Sequence, residues 1–245
     1  MDLTVLIARK DRGKNLSYCL ASIAACKPVP PVLVVDFGSA KALCFPQYPW
    51  LSIIRGKRKT DFFHKARALN IGIRKIKTKY LCIVDADQIF SPNFFSVVYR
   101  RLVKTPKVFV MCRTYFLRKI PNEITPNNLR RNYEHLLHLA KTSGLKYHGD
   151  GCCNGVRTDW AKSVRGYDES YYGYGGEDSD FALRAKLAGF HHMGIEKYVS
   201  MVHLPHAKKG MYYNKDIFMK NKKRYRNKVK TEEIIANVEE NWGNL

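Results

Sequence analysis

The chain has 245 residues, 45% of them apolar and 12% aromatic, so it can form a domain with a sizeable core and is not disordered throughout. No apolar run reaches the roughly 20 residues that cross a bilayer, the start lacks a secretory signal, and the seven cysteines form no Cys-x-x-Cys pair, which predicts a reduced, cytoplasmic protein. The formal net charge of +22 predicts an anionic partner: nucleic acid, lipid headgroups, or a charged sugar donor or acceptor.

The first half of the chain alternates short β-rich runs with amphipathic helical stretches. The predicted strands are residues 3–8, 32–35, 51–54 and 80–84. Apolar residues at helical spacing follow the first strand, at 16–24, and the third, at 62–76. This βαβα order predicts an α/β protein with a mostly parallel sheet and helices on both faces. The wholly apolar run 80–84 is predicted to be a strand that is buried on both faces.

The second half has fewer strand signals. Ser91-Pro92 and Thr125-Pro126 each predict a helix start, because an N-cap residue precedes proline. Residues 147–176 are rich in glycine, aspartate and tyrosine and are predicted to form loops around a site. A helix is predicted at residues 178–188 and ends at Gly189.

The sequence becomes basic and aromatic after Pro205. We therefore expect one domain at residues 1–206 and a basic, helical extension at residues 207–245. Within the extension, residues 208–230 contain ten basic residues and four aromatic residues but one acid, Asp216. Such a segment can lie on an anionic membrane surface, which would make the protein peripheral to a membrane. A solvated helix, or one packed on the domain, is an equally weighted alternative.

Two carboxylates follow the buried strand, in the run Asp85-Ala-Asp87. Open α/β sheets bind ligands at the carboxyl ends of their strands, and carboxylate oxygens suit hard cations such as Mg²⁺ or Mn²⁺. Asp87 is the better direct ligand because it lies furthest past the strand, whereas Asp85 would more often contact a ribose or a metal-bound water. The pair alone could cap a turn, but the strand before it and an acidic loop further along favour a metal site.

That acidic loop is Gly173-Tyr-Gly-Gly176-Glu177-Asp178. Its glycines allow the backbone to approach a sugar closely, and its carboxylates could supply a general base. A helix N-terminus also favours acids through its dipole, which would explain Asp178 and Asp180 without chemistry. We assign Asp180 to that structural role.

Two histidines end a late apolar run, Val199-Ser-Met-Val-His203-Leu-Pro-His206. A neutral imidazole beside a carboxylate would complete a mixed nitrogen and oxygen site that suits Mn²⁺. We favour His203 as the ligand because it ends the apolar run directly, and His206 stays open as the alternative. A lone histidine is more often structural.

These motifs, in this order, resemble those of inverting glycosyltransferases of the GT-A fold, close to family 2. The second half is similar to β-1,4-galactosyltransferases and chondroitin-type polymerases. The matching runs are Val34-Val-Asp36-Phe-Gly-Ser39, Ala66-Arg67-Ala-Leu-Asn70-Ile-Gly72, Asp85-Ala-Asp87, Gly166-Tyr-Asp168-Glu169, Gly173-Tyr-Gly-Gly-Glu177-Asp178-Ser-Asp180 and Met201-Val-His203. The resemblance covers about residues 3–206. It implies a Rossmann-like single domain, with a mostly parallel central sheet between helices and a basic C-terminal appendage.

The resemblance also implies roles for individual residues. Asp178 would be the general base, and Glu177 would orient an acceptor hydroxyl. The implied metal ligands are Asp87, His203 and Asp85. The residues implied in donor and nucleotide binding are Ala8, Arg9, Asp36, Arg67, Asn70, Asp85 and Ala86. Those implied in acceptor binding are Tyr174, Gly175, Gly176 and Glu177.

The implied reaction moves a hexosyl or N-acetylhexosaminyl group from a nucleotide sugar to a hydroxyl of a glycan or glycolipid. Its cofactor would be Mn²⁺ or Mg²⁺. Because Asp36 resembles the residue that contacts the uracil imide, UDP is the favoured nucleotide and GDP comes second.

Three other classes of function fit parts of the pattern. A nucleic-acid-binding protein would explain the charge, but no RNP sequence, helix-turn-helix pattern or zinc spacing appears. A sugar-phosphate nucleotidyltransferase would share the fold class, but Ala8-Arg-Lys-Asp-Arg-Gly13 has one glycine where a glycine-rich phosphate loop is expected. A glycoside hydrolase could use two carboxylates, but it would not need the turn at Asp36 or the metal motif. The sequence therefore favours a glycosyltransferase, with the nucleotidyltransferase second.

Overall fold

The computed structural model describes residues 1–40, 48–56, 62–147, 151–206, 214–238 and 241–244. The strands are β1 (Leu3–Arg9), β2 (Val32–Asp36), β3 (Leu51–Arg55), β4 (Tyr80–Asp85), β5 (Gln88–Phe90), β6 (Val108–Met111), β7 (Thr114–Phe116), β8 (Lys146–Tyr147), β9 (Cys153–Arg157), β10 (His191–Gly194) and β11 (Met201–His203). The helices are α1 (Gly13–Ala24), α2 (Lys65–Lys75), α3 (Phe94–Lys104), α4 (Leu129–Thr142), α5 (Thr158–Ser163), α6 (Glu177–Leu187) and α7 (Lys215–Thr231).

A seven-stranded sheet forms the centre of the molecule, in the order β10-β6-β9-β4-β1-β2-β3. Its neighbouring strands are parallel except around β9, which runs antiparallel to both β4 and β6. A smaller sheet has the order β5-β11-β7-β8. Only Ala86 and Asp87 separate β4 from β5, so the turn between these strands joins the two sheets. The predicted α/β architecture with a mostly parallel sheet is confirmed.

Helices cover both faces of the large sheet. α1 and α3 pack on one face together with strand residues such as Val5 and Cys82. α2, α5 and α6 pack on the other face with the alternate residues, such as Leu6 and Leu81. This alternation follows from the two-residue side-chain period of a strand. α4 covers the smaller sheet in a third apolar cluster, and the six cysteines of the described residues are free.

Three strands of the large sheet end at one edge. The register pairs Ala8 with Asp85 and Arg9 with Asp36, so β1, β2 and β4 finish level with one another. Ligands bind at the carboxyl edge of open α/β sheets. The aspartates that the sequence singled out after β2 and β4 therefore lie at the edge where a site is expected.

β9 is the main departure from the predicted organisation. Residues 147–176 are expected to be loops, but Cys153–Arg157 forms a strand inside the large sheet, and α5 follows it at once. The Asn-Gly pair in this run is typical of a turn. Here Gly155 favours close packing, because a Cβ at this position would lie 3.1 Å from Val98 and 3.2 Å from Val110, tighter than an ordinary van der Waals contact. Close packing against α3 and β6 therefore overrides the local turn signal.

The two predicted helix starts have different outcomes. Thr125 forms a capping box, and Pro126 opens a short 3-10 turn that leads into α4, as predicted. The prediction for Ser91 is wrong, because α3 begins only at Phe94. The Ser91 hydroxyl instead accepts a hydrogen bond of 3.3 Å from the backbone N–H of Ser200. This side chain therefore joins the segment before α3 to the segment before β11.

The C-terminal residues pack against the loop between α5 and α6. The side-chain amide of Asn237 donates to the carbonyls of Arg165 and Tyr167, both at 2.8 Å. The N–H of Gly243 donates to Glu169 Oε1 at 2.7 Å. The chain after α7 is therefore held on the domain by backbone and side-chain hydrogen bonds.

α7 covers most of the segment that could lie on a membrane surface, while residues 208–213 are outside the described residues. Among the described helices, none combines the length and the apolar character needed to cross a bilayer. The boundary between the domain and its extension, at residue 206, stays a prediction.

Candidate active site

Arg9 and Asp36 lie side by side at the carboxyl edge. They are 4% and 2% exposed, and Arg9 Nη1 lies 3.3 Å from Asp36 Oδ2. Asp36 Oδ1 is buried and has no hydrogen-bond partner among the described residues. A buried acceptor without a partner costs free energy, so this oxygen is suited to accept a hydrogen bond from a ligand. Ala8 and Ala86 are also predicted to bind the nucleotide-sugar donor, and both are buried. Ala8 pairs with Asp85 across the sheet, and Ala86 follows Asp85 in the sequence.

A second group of polar side chains surrounds Asp87, in the turn that joins the two sheets. Its carboxylate is 1% exposed, and the Nε2 atoms of His203 and His206 lie 3.5 and 3.4 Å from its two oxygens. One ligand atom from each of the three residues lies within 4.8 Å of the others. Asp87 Oδ1 is buried and makes no hydrogen bond with the described residues. One carboxylate and two imidazoles in this arrangement fit Mn²⁺ or a similar divalent cation.

Both histidines of the late apolar run face Asp87, although the sequence favoured His203 alone. β11 ends at His203, whose ring packs on Phe116 with 4.6 Å between ring centroids. His206 follows three residues later, and the two imidazole centroids are 5.1 Å apart. Arg12, just before α1, also forms an ion pair with Asp87. The candidate metal ligands thus come from the sheet junction, the end of β11 and the residues just after β11, with Arg12 beside them.

Lys65 joins the two acidic motifs. Its Nζ lies 3.0 Å from Asp85 Oδ1, 2.7 Å from Asp178 Oδ2 and 3.6 Å from Glu177 Oε1. Lys65 is the first residue of α2, so it links the end of β4 to the start of α6. Motifs that are far apart in the sequence therefore form one cluster at the carboxyl edge, beside Asp87.

Three carboxylates share one ammonium group in this cluster, and the pKa values of two of them, Asp178 and Asp85, shift in opposite directions. Burial raises the pKa of Asp178 to about 7; Lys65 opposes the rise, and the charges of Glu177 and Asp85 add to it. Burial acts in the same direction on Asp85, but the charge and hydrogen bond of Lys65 outweigh it, so the pKa of Asp85 is lowered. Burial disfavours the charged form of Lys65, but the surrounding carboxylates hold its pKa well above its usual value. A carboxyl group with a pKa near neutrality is suited to general base catalysis.

Glycines shape the chain that leads into this cluster. Gly173, Gly175 and Gly176 have φ angles of +71°, +95° and +98°, in the left-handed region that favours glycine. Gly176 is the N-cap of α6, so the helix begins at Glu177, one residue before the predicted start. The glycine run therefore delivers the two acidic side chains to the first turn of α6, where the helix dipole favours negative charge.

Tyr174 is the most exposed of the residues predicted to bind an acceptor. It is 58% exposed, and its ring stacks on Phe218 of α7 with 6.0 Å between centroids. A flat aromatic face that is open to solvent beside the acidic cluster suits contact with the apolar side of a sugar ring. Acceptor binding by Tyr174, Gly175 and Gly176 stays a prediction.

Two residues predicted to bind the donor have structural partners instead. The side chain of Asn70, which is fully buried, donates to the carbonyl of Tyr167 and to Glu169 Oε1, and it accepts from the N–H of Tyr167. Arg67 Nε donates to the carbonyl of Asn244 at 3.3 Å. These contacts join α2 to the loop before α6 and to the C-terminal residues. The predicted donor role of both residues is not supported by these contacts and stays a prediction.

Lys65 and Arg12 are the site residues that sequence reasoning missed. Each lies in a basic run, where a single cation is usually solvated. What distinguishes them is their carboxylate partners, which come from distant parts of the chain. Arg12 precedes the helix after β1, and Lys65 begins the helix after β3, but nothing in either run distinguishes the cation that pairs with a carboxylate from its neighbours.

Comparison with known families decides the class of protein. The family described as glycosyl transferase family 2 matches residues 4–165, more than half of the chain. The chain belongs to glycosyltransferase family 2. A second family, described as the N-terminal domain of galactosyltransferase, matches residues 134–207, which include the acidic loop and both histidines. This family 2 domain is therefore an enzyme of the glycosyltransferase class, and the nucleotidyltransferase and nucleic-acid-binding alternatives are set aside.

Individual relatives agree with this assignment. Chondroitin synthase of Escherichia coli is 23% identical over 234 residues, which cover 79% of this chain and 33% of that protein. The chain therefore spans about a third of the length of this relative. The structure of S. aureus TarS with UDP-GlcNAc matches at a TM-score of 0.64 and 15% identity, over 97% of this chain and 68% of that chain. A mannosyltransferase of Pyrobaculum calidifontis with GDP-Man and Mn²⁺ matches at a TM-score of 0.55 and 18% identity, over 86% and 58%. These structures share the predicted GT-A fold.

Proposed function

We propose that this family 2 domain transfers a hexosyl or N-acetylhexosaminyl group from a nucleotide sugar to a hydroxyl of a glycan or glycolipid. The donor is a UDP-sugar, the reaction inverts the anomeric carbon, and it depends on Mn²⁺ or Mg²⁺. The observation that carries this proposal is that buried Asp87, facing His203 and His206, lies at the same sheet edge as Asp178.

We assign nucleotide binding to the buried ion pair of Arg9 and Asp36, at the ends of β1 and β2. Asp36 Oδ1 would accept the imide N–H of uracil, while Arg9 holds the other carboxylate oxygen. The bound UDP-GlcNAc of TarS and the GDP-Man of the mannosyltransferase support a nucleotide-sugar donor for this fold. A divalent cation held by Asp87, His203 and His206 would neutralise the charge that develops on the diphosphate leaving group.

We assign to Asp178 the removal of the proton from the acceptor hydroxyl. In an inverting transfer the acceptor oxygen attacks as a base removes its proton, and a carboxyl pKa of about 7 makes Asp178 both available and basic enough near neutral pH. The hydrogen bond of 2.7 Å from Lys65 holds this carboxylate in place. Glu177, the preceding residue, would orient the acceptor.

A panel of nucleotide sugars tests the reaction and its metal dependence. With Mn²⁺ present, we expect hydrolysis or transfer with a UDP-sugar, and calorimetry should show UDP binding that EDTA abolishes. Asp87→Ala should lose Mn²⁺ and UDP binding together, whereas Asp159→Ala, an exposed control, should retain both. Binding of UDP that is unaffected by EDTA would contradict the metal dependence.

Substitution of the base tests the mechanism separately. Asp178→Asn should keep UDP and Mn²⁺ binding but lower turnover by about 10² to 10⁴, the usual effect of losing a general base. The anomeric configuration of the product, read by NMR, should be opposite to that of the donor. Near-normal turnover in Asp178→Asn, or a retained configuration, would contradict the proposed mechanism.

A further inference from the structure

A groove of about 580 Å³ runs along α7 on the side that faces the acceptor loop. Ser170 and Tyr172 line it on the side of the loop, residues of α7 line it on the other side, and Glu233, which follows α7, also lines it. The α7 residues that line it recur every three or four positions from Ile217 to Thr231, so they occupy one face of the helix. At 1.5 Å per residue this face is about 20 Å long, which suits an extended chain better than a single nucleotide.

Four cations and one carboxylate line this groove. Lys220, Lys223, Arg224 and Lys228 all face it. Lys228 is compensated, because it forms ion pairs with Asp168 and Glu233. The others have no carboxylate partner among the described residues.

Arg224 is held in place by the acceptor loop. Its Nη1 donates to the carbonyl of Ser170 at 2.7 Å, and its guanidinium lies 5.7 Å from the ring centroid of Tyr171. A guanidinium has five N–H donors, so one hydrogen bond to a carbonyl leaves others for a ligand. The groove thus contains a positive charge, that of Arg224, whose position is fixed by contacts with the loop.

The groove lies beside the loop that precedes the acidic cluster. The side-chain amide of Asn221, which is 2% exposed, donates to the carbonyls of Tyr172 and Tyr174 at 2.9 and 3.2 Å. This contact fixes α7 against the loop that continues into Glu177 and Asp178. Tyr172, whose ring packs against His64 beside Lys65, belongs both to the groove and to the loop.

We infer that this groove binds anionic groups, carboxylates or phosphates, on an acceptor glycan, away from the hydroxyl that reacts. An acceptor whose end reaches Asp178 would pass Tyr172 and continue along Lys220, Lys223 and Arg224. The inference rests on the proposed acceptor role of the loop. It adds that the acceptor is a charged chain, because its anions would pair with cations that a neutral glycan would leave to solvent.

The shape and polarity of α7 favour a glycan over a bilayer. A bilayer surface is broad and cannot enter a concave groove between a helix and a loop. The apolar residues Ile217 and Phe218 face the domain, where a Cβ at Gly173 or Gly175 would lie 3.0 Å from them. α7 therefore packs these two side chains on the domain. Its exposed apolar residues, Met219 and Val229, are separated by lysines and arginines and do not form the continuous apolar face that a membrane-bound helix turns to the lipid.

Binding of defined probes to the full chain tests the inference. The probes are an oligosaccharide with alternating uronate residues, the same oligosaccharide with its carboxyls reduced, a polyol phosphate oligomer, and vesicles with anionic phospholipid. The groove variant carries Lys220→Gln and Lys223→Gln. The control carries Lys215→Gln and Lys222→Gln, which removes the same charge from α7 outside the groove.

We expect an anionic glycan to bind more tightly than the reduced, neutral one, and the groove variant to lose about 3- to 30-fold in affinity, as expected for two partly exposed ion pairs. The control variant should change less than the groove variant, and added salt should weaken binding because it screens these charges. Whether the uronate or the phosphate probe binds better identifies the anion. UDP and Mn²⁺ binding should be equal in all variants.

Three results would overturn the inference. The first is equal affinity of the wild-type protein for the charged and the neutral oligosaccharide. The second is an equal change of glycan affinity in the groove variant and the control variant. The third is that the protein binds anionic vesicles but no glycan, and that the groove variant no longer binds the vesicles. Failure of the proposed function would look different, because UDP binding in the presence of Mn²⁺ would then be absent from the wild-type protein as well.

Discussion

Replacing Lys65 by methionine should shift the pH dependence of catalysis. The ammonium lies 2.7 Å from Asp178 Oδ2, and the two side chains are 15% and 18% exposed. A close opposite charge lowers a carboxyl pKa by about 1 to 3 units, and partial exposure places this pair towards the lower end of that range. Loss of Lys65 should therefore raise the pKa of Asp178 by about 1 to 2 units from its value of about 7.

The expected consequence is a loss of activity that alkaline pH restores. The base must be ionised, so activity rises as pH rises through its pKa. At pH 7 the ionised fraction would fall from about one half to about 1 to 10%, and kcat/KM by about 5- to 50-fold. The assay is the pH profile of kcat/KM between pH 5 and 10, with Lys75→Met, an exposed residue of α2, as the control. An acidic limb that does not move in the Lys65 variant would refute this account.

Three further predictions concern the metal site and stability. His206→Ala should weaken Mn²⁺ binding in calorimetry by about tenfold or more, since even an outer-shell partner of a ligand contributes that much. Arg184→Met should lower the free energy of unfolding in urea by about 3 to 5 kcal/mol, because buried Asp180 loses its ion pair. Burial raises the pKa of Asp180, so this loss should be larger at pH 8 than at pH 5, where protonation relieves the unpaired charge. Gly72→Ala should cost about 1 to 3 kcal/mol, because its Cβ would overlap Leu6.

Each of these predictions has a matched control. His138→Ala and Arg130→Met change exposed residues of α4 and should leave metal affinity and stability unaltered. Gly72→Ala combined with Leu6→Ala should destabilise by less than the sum of the single changes, since the smaller side chain removes the overlap. Unchanged Mn²⁺ affinity in the His206 variant, an unchanged urea midpoint in the arginine variant, or additive effects in the double variant would contradict the respective prediction.

The carboxyl edge was predictable because the relevant residues follow directly from apolar strands. A run such as 80–84 can be recognised as a buried strand from its residues alone, and Asp85 and Asp87 must then lie past its end. The same reasoning places Asp36 at the end of β2 and His203 at the end of β11. In each case one local signal fixes both the element and the position of the polar side chain.

Features that depend on distant partners could not be predicted in this way. Lys65 resembles the other cations of a basic helix until folding brings three carboxylates to it. Asn70 lies in a motif of the family, but its hydrogen bonds to Tyr167 and Glu169 become visible only when α2 meets the loop before α6. The Asn-Gly pair at Gly155 is typical of a turn in the sequence. The reason for a glycine within a strand at this position is its close packing against α3 and β6, which only the structure shows.

The position of β9 has a consequence for how the protein is made. Both neighbours of β6 in the sheet, β9 and β10, come later in the chain, and β9 ends at Arg157, 46 residues after Met111. At a synthesis rate of about 5 to 20 residues per second, β6 waits about 2 to 10 s for its first partner strand. Its apolar sequence, Val108-Phe-Val-Met111, then has two unpaired edges, which are templates for aggregation. A fragment that ends between β6 and β9 would keep these edges exposed and should aggregate.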